Sequence, residues 1–154
     1  QNDSTNYFNA LEGGMSPYRL VDHTADIAVD IWGKDEQDFF NESIRALFFL
    51  LTDIQLENLH LFKRLQRKKI KLDLSSFDEG YIDFINHIIR FVDIYAVLAV
   101  GVDVKMRNNK ASFTVHFIKD SSSNIKREIK AATRHNFRVE RNGKEIKTRI
   151  TFDI

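Results

Sequence analysis

Two short turn signals constrain this chain more than anything else in it. Asn142-Gly143 stands between runs of alternating apolar and polar residues, and Asn-Gly suits a two-residue hairpin turn because both central positions need positive φ. Asn108-Asn109 occupies a similar place between two earlier runs. A two-residue turn sets the strand register, so the pairings can be counted outward. From Asn108-Asn109 the count pairs Val104 with Phe113, Val102 with Val115 and Val100 with Phe117, a uniformly apolar face. From Asn142-Gly143 it pairs Val139 with Ile146, Phe137 with Thr148 and His135 with Ile150. Continued, it sets Thr133 opposite Phe152 and Ala132 opposite Asp153. On the last strand Ile146, Ile150, Phe152 and Ile154 then face inward, with Lys147, Arg149, Thr151 and Asp153 outward. His135 falls on the apolar face, and Lys130 lies diagonal to Asp153.

The remaining elements follow from periodicity. Tyr18 to Val21 reads as a short strand, and Ile27, Val29 and Ile31 alternate as a half-buried strand should. Asp35 is placed to cap a helix from Glu36 to Leu51, whose Phe40, Ile44, Leu47, Phe48 and Leu51 keep helical spacing. Thr52 to Gln66 carries no clear period and reads as loop with a helical turn. Ile70, Leu72 and Leu74 alternate as another strand; Ser75, Ser76 or Asp78 then caps a second helix through Tyr81, Ile85, Ile88, Ile89 and Val92. His87 sits beside core positions of that helix and reads as a packing or surface residue. The order predicts an α+β fold, with two helices packed on a mainly antiparallel sheet.

Composition narrows the chemistry. The 154 residues suit one domain, and 43% hydrophobic content with 13 Phe supplies a core. The 1–14 stretch is polar and reads as an expression leader, which leaves 15–154 as the domain. A net charge of +1 gives no overall field toward nucleic acid or membrane, and the lack of Cys removes thiolate catalysis and Cys-type zinc sites. That lack also fits a reducing, cytoplasmic setting. No apolar run approaches the roughly 20 residues of a membrane span. Phosphate-cradling glycine loops, a nucleophile elbow and paired-histidine zinc motifs are all missing. The histidines, His23, His60, His87, His116 and His135, lack ligand spacing.

One run stands out. In Asp22-His23-Thr24-Ala25-Asp26, the residues Asp22, Thr24 and Asp26 share a face if the run is extended. Two carboxylates and a hydroxyl suit a divalent cation or an activated water. Asp and Thr are also turn formers, so the run equally reads as a bend between strands. Two basic groups offer weaker leads. Arg67-Lys68-Lys69-Ile70-Lys71 reads as phosphate contacts or as the solvated, pairing-resistant face of an edge strand. Lys126, Arg127, Lys130, Arg134 and Arg138 border the carboxylates, either to meet a phosphate-bearing partner or to neutralise them.

Three stretches taken together resemble the archease family. Asp22-His23-Thr24-Ala25-Asp26-Ile27 resembles its His-Thr-Ala-Asp signature. Glu128-Ile129-Lys130-Ala131-Ala132-Thr133-Arg134-His135 resembles its Lys-Ala-x-Thr-Tyr-His signature, and Phe152-Asp153-Ile154 resembles its terminal Asp-Ile. Their order and spacing make the set specific over Tyr18 to Ile154. Arg134 replaces the usual Tyr, Ala28 the common Gly, and Asp120 to Ile125 lacks the expected Gly-Glu pattern.

The resemblance implies a strand-helix-strand-strand unit with a related unit inserted. It implies an accessory protein, not an enzyme: an activator of the GTP-dependent RNA-splicing ligase that joins tRNA halves. Such a protein promotes guanylylation of the ligase and its multiple turnover, and meets RNA through the ligase. It further implies a divalent metal, Ca²⁺ first and Mg²⁺ or Mn²⁺ as alternatives. By position, Asp26, Asp153 and the main-chain carboxylate of Ile154 would ligate it, and Lys130 would be the functional amine. Asp22, His23, Thr24 and His135 would stand around these ligands. Two other readings rest on the residues themselves: a metal-dependent phosphate-ester hydrolase using Asp26, Asp153 and Lys130, and an RNA-binding module using the strand around Lys69.

Overall fold

The structure, a computed structural model, describes residues 26–58, 65–120 and 124–154. Tyr18 to Val21, Asp22, His23 and Thr24, like the 1–14 stretch, lie outside the described residues. Among those described, the order is β1 (Asp26–Gly33), α1 (Glu36–Thr52), a 3₁₀ turn (Leu56–Asn58), β2 (Gln66–Asp73), α2 (Phe77–Tyr95), β3 (Val97–Arg107), β4 (Lys110–Lys119), β5 (Ala131–Asn142) and β6 (Glu145–Asp153). This is the expected α+β fold, drawn as two antiparallel three-stranded sheets, β1-β6-β5 and β2-β4-β3.

The two sheets repeat one plan. Each comes from a strand, a helix and a hairpin, and in each the last strand lies in the middle. The second unit, β2-α2-β3-β4, is inserted between α1 and β5. Each helix also packs on the other unit's sheet: α1 lies against β1 and β3, α2 against β5 and β3. One core results, centred on Phe39, Phe40, Tyr81, Phe84 and Phe113, all fully buried. Their rings meet edge-on or tilted at 4.5 to 5.8 Å between centroids, the favoured arrangements for aromatic quadrupoles.

The helix ends follow local chemistry. Asp35 caps α1 by accepting from the Asp38 amide at 2.8 Å, while Asp38 accepts from the Lys34 amide at 2.9 Å. Ser76, of the three candidates, caps α2 through the Glu79 amide. Gly33 joins β1 to α1 because a Cβ there would lie 2.3 Å from the Phe39 nitrogen. The last turn of α1 holds no basic residue. Arg127, from the loop before β5, serves its free carbonyls by donating to Leu50 O, and it also reaches Asp53 at 3.3 Å.

Amide side chains occupy two sheet edges. Gln37 donates to Val102 O at 2.7 Å and accepts from Val104 N at 2.8 Å, while Asn41 accepts from Val102 N at 3.0 Å. Asn86 of α2 does the same for β5, donating to Ala132 O at 3.2 Å and accepting from Ala132 N at 2.8 Å. Each amide stands in for the strand an edge lacks.

The register differs from the counted one at three points. In the first hairpin Val104–Phe113 and Val102–Val115 hold, but a bulge between Ala99 and Gly101 pairs Ala99, not Val100, with Phe117. In the second, Asn142 pairs with Glu145, so Gly143, at φ 65°, and Lys144 form the turn. Val139 therefore meets Thr148. A larger irregularity between Thr133 and Arg138 then resets the count, and Ala131, not Ala132, opposes Asp153.

Candidate functional site

The β1–β6 pairing runs from Gly33–Ile146 to Asp26–Asp153 without a break. Directly opposed residues project from the same face. Ile27, Val29 and Ile31 enter the core, so Asp26, Asp30, Arg149 and Asp153 stand on the outer side. Thr151 shares that parity but is 3% exposed, so the outward position counted for it is a buried one. The site begins where this face reaches the end of both strands.

There Asp26 and Asp153 confront each other closely enough to share a side-chain hydrogen bond. Burial, that bond and the like charge of Asp153 hold the Asp26 carboxyl above its usual range, against the pull of His135. Two opposed carboxylates form a hard-oxygen pair whose repulsion a divalent cation would relieve. Among the described residues no group of three or more Asp, Glu, His or Cys side chains assembles. The donor set fits a cation that completes its shell with main-chain oxygens and water.

His135 reaches this pair by an irregularity that alternation does not reveal. The count set it on the apolar face, but it is exposed. Between Thr133 and Arg138 the β5 strand bulges, and Asn136 takes a left-handed φ of 55°. Bulges re-aim side chains, and this one turns His135 out of the core, with its charge felt at Asp26. Asn136 Nδ2 lies 3.2 Å from His135 Nε2.

Lys130 precedes β5 by one residue. Its amide donates to Asp153 O at 2.8 Å, and its exposed side chain forms no ion pair among the described residues. The diagonal placement counted for it thus becomes a main-chain tie to Asp153. Of the other cations expected nearby, Arg127 is committed to α1, and Arg134 lies 2.6 Å from Glu79 at the start of α2. Two of that group are therefore structural. Asn86 was not singled out in the sequence, yet it holds Ala132 one residue from the strand partner of Asp153. Its only signal is an amide among the apolar positions of a helix.

With this geometry in place, comparison with known proteins decides the family. The model of the Archease protein family (MTH1598/TM1083) matches residues 18–154. The chain belongs to the archease family. The archease of Archaeoglobus fulgidus is 25% identical over 140 residues, covering 89% of this chain and 98% of that protein. The archease of Methanopyrus kandleri is 26% identical over 133 residues, covering 81% and 90%. A crystal structure of an archease from Thermotoga maritima, described as a possible chaperone, is similar with a TM-score of 0.57 at 25% identity, covering 89% and 97%. The solution structure of Methanobacterium thermoautotrophicum protein 1598 shares the fold, with a TM-score of 0.65 at 19% identity, covering 87% and 96%. No helix among the described residues of this archease is long and apolar enough to cross a membrane.

Proposed function

We propose that this archease is an accessory protein of the GTP-dependent RNA ligase that joins tRNA halves, promoting guanylylation of the ligase and its repeated turnover. The observation that carries this reading is the direct opposition of Asp26 and Asp153, with the Lys130 amide bonded to Asp153. Asp26, Asp153 and the main-chain carboxylate of Ile154 would hold a divalent cation, with Ca²⁺ favoured over Mg²⁺ or Mn²⁺. A bound cation would supply positive charge for a phosphate-bearing or acidic group of the partner. Lys130 adds an amine free to reach the same group, and the charge of His135 is felt at Asp26. An accessory role agrees with the description of the Thermotoga relative as a possible chaperone.

The test mixes ligase and labelled GTP with and without this protein and follows covalent label on the ligase. Faster labelling is expected, lost in Asp26→Ala and reduced in Lys130→Ala. Equal rates with and without the protein would overturn the reading.

The position of His135 supports a second reading, a metal-dependent phosphate-ester hydrolase. Its charge is felt at Asp26, and it would be the general base such an enzyme needs. That reading requires phosphatase activity of the protein alone, abolished by both Asp26→Ala and His135→Ala. Activity that survives either change would remove it.

A further inference from the structure

The second sheet carries a surface that the carboxylate pair does not use. Its inner side is core: Ile70, Val102, Phe113 and Val115 are buried. Opposed residues share a face, so the cross-strand rows on its outer side can be read directly. Lys69 pairs with Thr114, which pairs with Asp103. Lys71 pairs with Ser112, which pairs with Lys105. Asp73 pairs with Lys110, which pairs with Arg107, and Arg67 begins the β2 column opposite His116. Six cations therefore stand on one face, all exposed: Arg67, Lys69, Lys71, Lys105, Arg107 and Lys110.

Only two carboxylates share the face, and both are engaged. Asp103 lies 3.1 Å from His116, and Asp73 accepts from the Ser75 amide and hydroxyl at 2.8 and 2.6 Å. None of the six cations forms an ion pair among the described residues. Edge protection explains lysines on β2, one of the sheet's two edge strands. It does not explain Lys110 on the central strand. On β3, the other edge strand, Gln37 and Asn41 already cover the backbone at Val102 and Val104, which leaves edge protection only the short stretch that carries Lys105 and Arg107.

We infer that this face binds the sugar-phosphate backbone of single-stranded nucleic acid. Residues two apart on a strand are separated by about 6.7 Å, comparable with successive phosphates in an extended single strand. Arg67, Lys69 and Lys71 form one such column. Between the columns the Ser112 and Thr114 hydroxyls, half-buried and without hydrogen-bond partners among the described residues, offer further phosphate donors. The outer rows named above hold no Phe, Tyr or Trp to stack a base and no apolar anchor for a lipid surface, and the partly buried His116 ring lies 3.1 Å from Asp103, so recognition is of the backbone and independent of sequence. The inference does not rest on the Asp26–Asp153 reading.

The experiment measures affinity for a fluorescent 20-nucleotide single-stranded RNA between 50 and 200 mM salt. For six phosphate contacts the slope of log affinity against log salt is about −4, an affinity loss of about 250-fold across that range. The triple variant Lys69→Ala, Lys71→Ala, Lys105→Ala should flatten the slope by about 2 units. Lys34→Ala, Lys144→Ala, Lys147→Ala, with the same charge change elsewhere, should leave it unaltered. Unchanged melting temperatures would show both variants folded. Absent binding at 50 mM salt, an equal loss in the control variant, or equal affinity for polyglutamate of matched charge would each overturn the inference. Asp26→Ala should bind RNA as the wild type does, so failure of the ligase reading stays distinguishable.

Discussion

Asp26 and Asp153 face each other across β1 and β6 and share a side-chain hydrogen bond. With both carboxyls ionised and no cation, like charge at this pair works against folding; a bound cation would turn it into a stabilising site. Ca²⁺ at 100 times its Kd should add about 2.7 kcal/mol, which for a chain of this length raises Tm by about 5–10 °C. Asp26→Asn should melt no lower than the wild type in EDTA and gain nothing from Ca²⁺. Thermal melts with EDTA, Ca²⁺, Mg²⁺ and Mn²⁺ decide it: no cation-dependent rise in the wild type means no site.

Asn86 holds the start of β5 by pairing both polar groups of the Ala132 backbone. Ala132 is 5% exposed, so removing the amide leaves a buried N–H and C=O unmatched. Asn86→Ala should cost about 2 kcal/mol in urea unfolding. Asn86→Asp keeps the acceptor for the N–H but loses the donor, and should fall between the two. Amide exchange at Ala132 should accelerate in both variants; unchanged exchange would mean that neighbouring strand pairing alone holds this segment.

Much of the fold was legible because it rests on local signals. Both helices, the Asp35 cap, a second cap narrowed to Ser75, Ser76 or Asp78, and the alternation in β1 come from residues acting within a turn or a strand. Counting register from a turn is weaker, since every later pair inherits each irregularity. The bulge at Asn136 and the shift of the turn to Gly143-Lys144 moved Ala131 opposite Asp153 and turned His135 outward. No periodicity encodes a left-handed Asn136. The two Asp residues were legible as candidates from their motifs, whereas their direct opposition needed the β1–β6 pairing, which no turn signal reports. The cationic face was half legible: the β2 lysines are contiguous in sequence, but Lys105, Arg107 and Lys110 join them only through pairing.

Ser43 and Tyr81 make an asymmetric buried pair. Ser43 Oγ donates to Phe39 O at 2.9 Å and lies 2.8 Å from the Tyr81 hydroxyl, so that hydroxyl donates to Ser43. Burial pushes the Tyr81 phenol well above its ordinary range, which keeps it protonated as that donor. Tyr81→Phe removes the donor of one neutral bond while Ser43 Oγ still donates to Phe39 O, and should cost about 0.5–1.5 kcal/mol. Ser43→Ala strands the Tyr81 hydroxyl without a partner and should cost about 1–3 kcal/mol. Chemical denaturation of the two variants gives the order, and a larger loss in Tyr81→Phe would contradict the donor assignment.

Asp30 and Arg149 pair across the same strands that carry Asp26 and Asp153, with two bonds of 2.8 and 3.0 Å. The Arg149 guanidinium, through those bonds, holds the Asp30 carboxyl below its usual range despite partial burial. A carboxyl whose folded pKa is depressed binds its proton more readily when unfolded, so it adds stability at higher pH. That contribution is complete above the unfolded value, about 3.9, and fades as pH falls through the lower folded value. Both side chains are more than one-third exposed, so salt and solvent keep the effect small. Asp30→Asn should therefore be less stable than the wild type at pH 7, and the gap should close as pH is lowered below 4. Unfolding free energies of the two proteins across pH 2 to 7 test the sign: a gap that widens toward acid would show that the ion pair does not set the Asp30 titration.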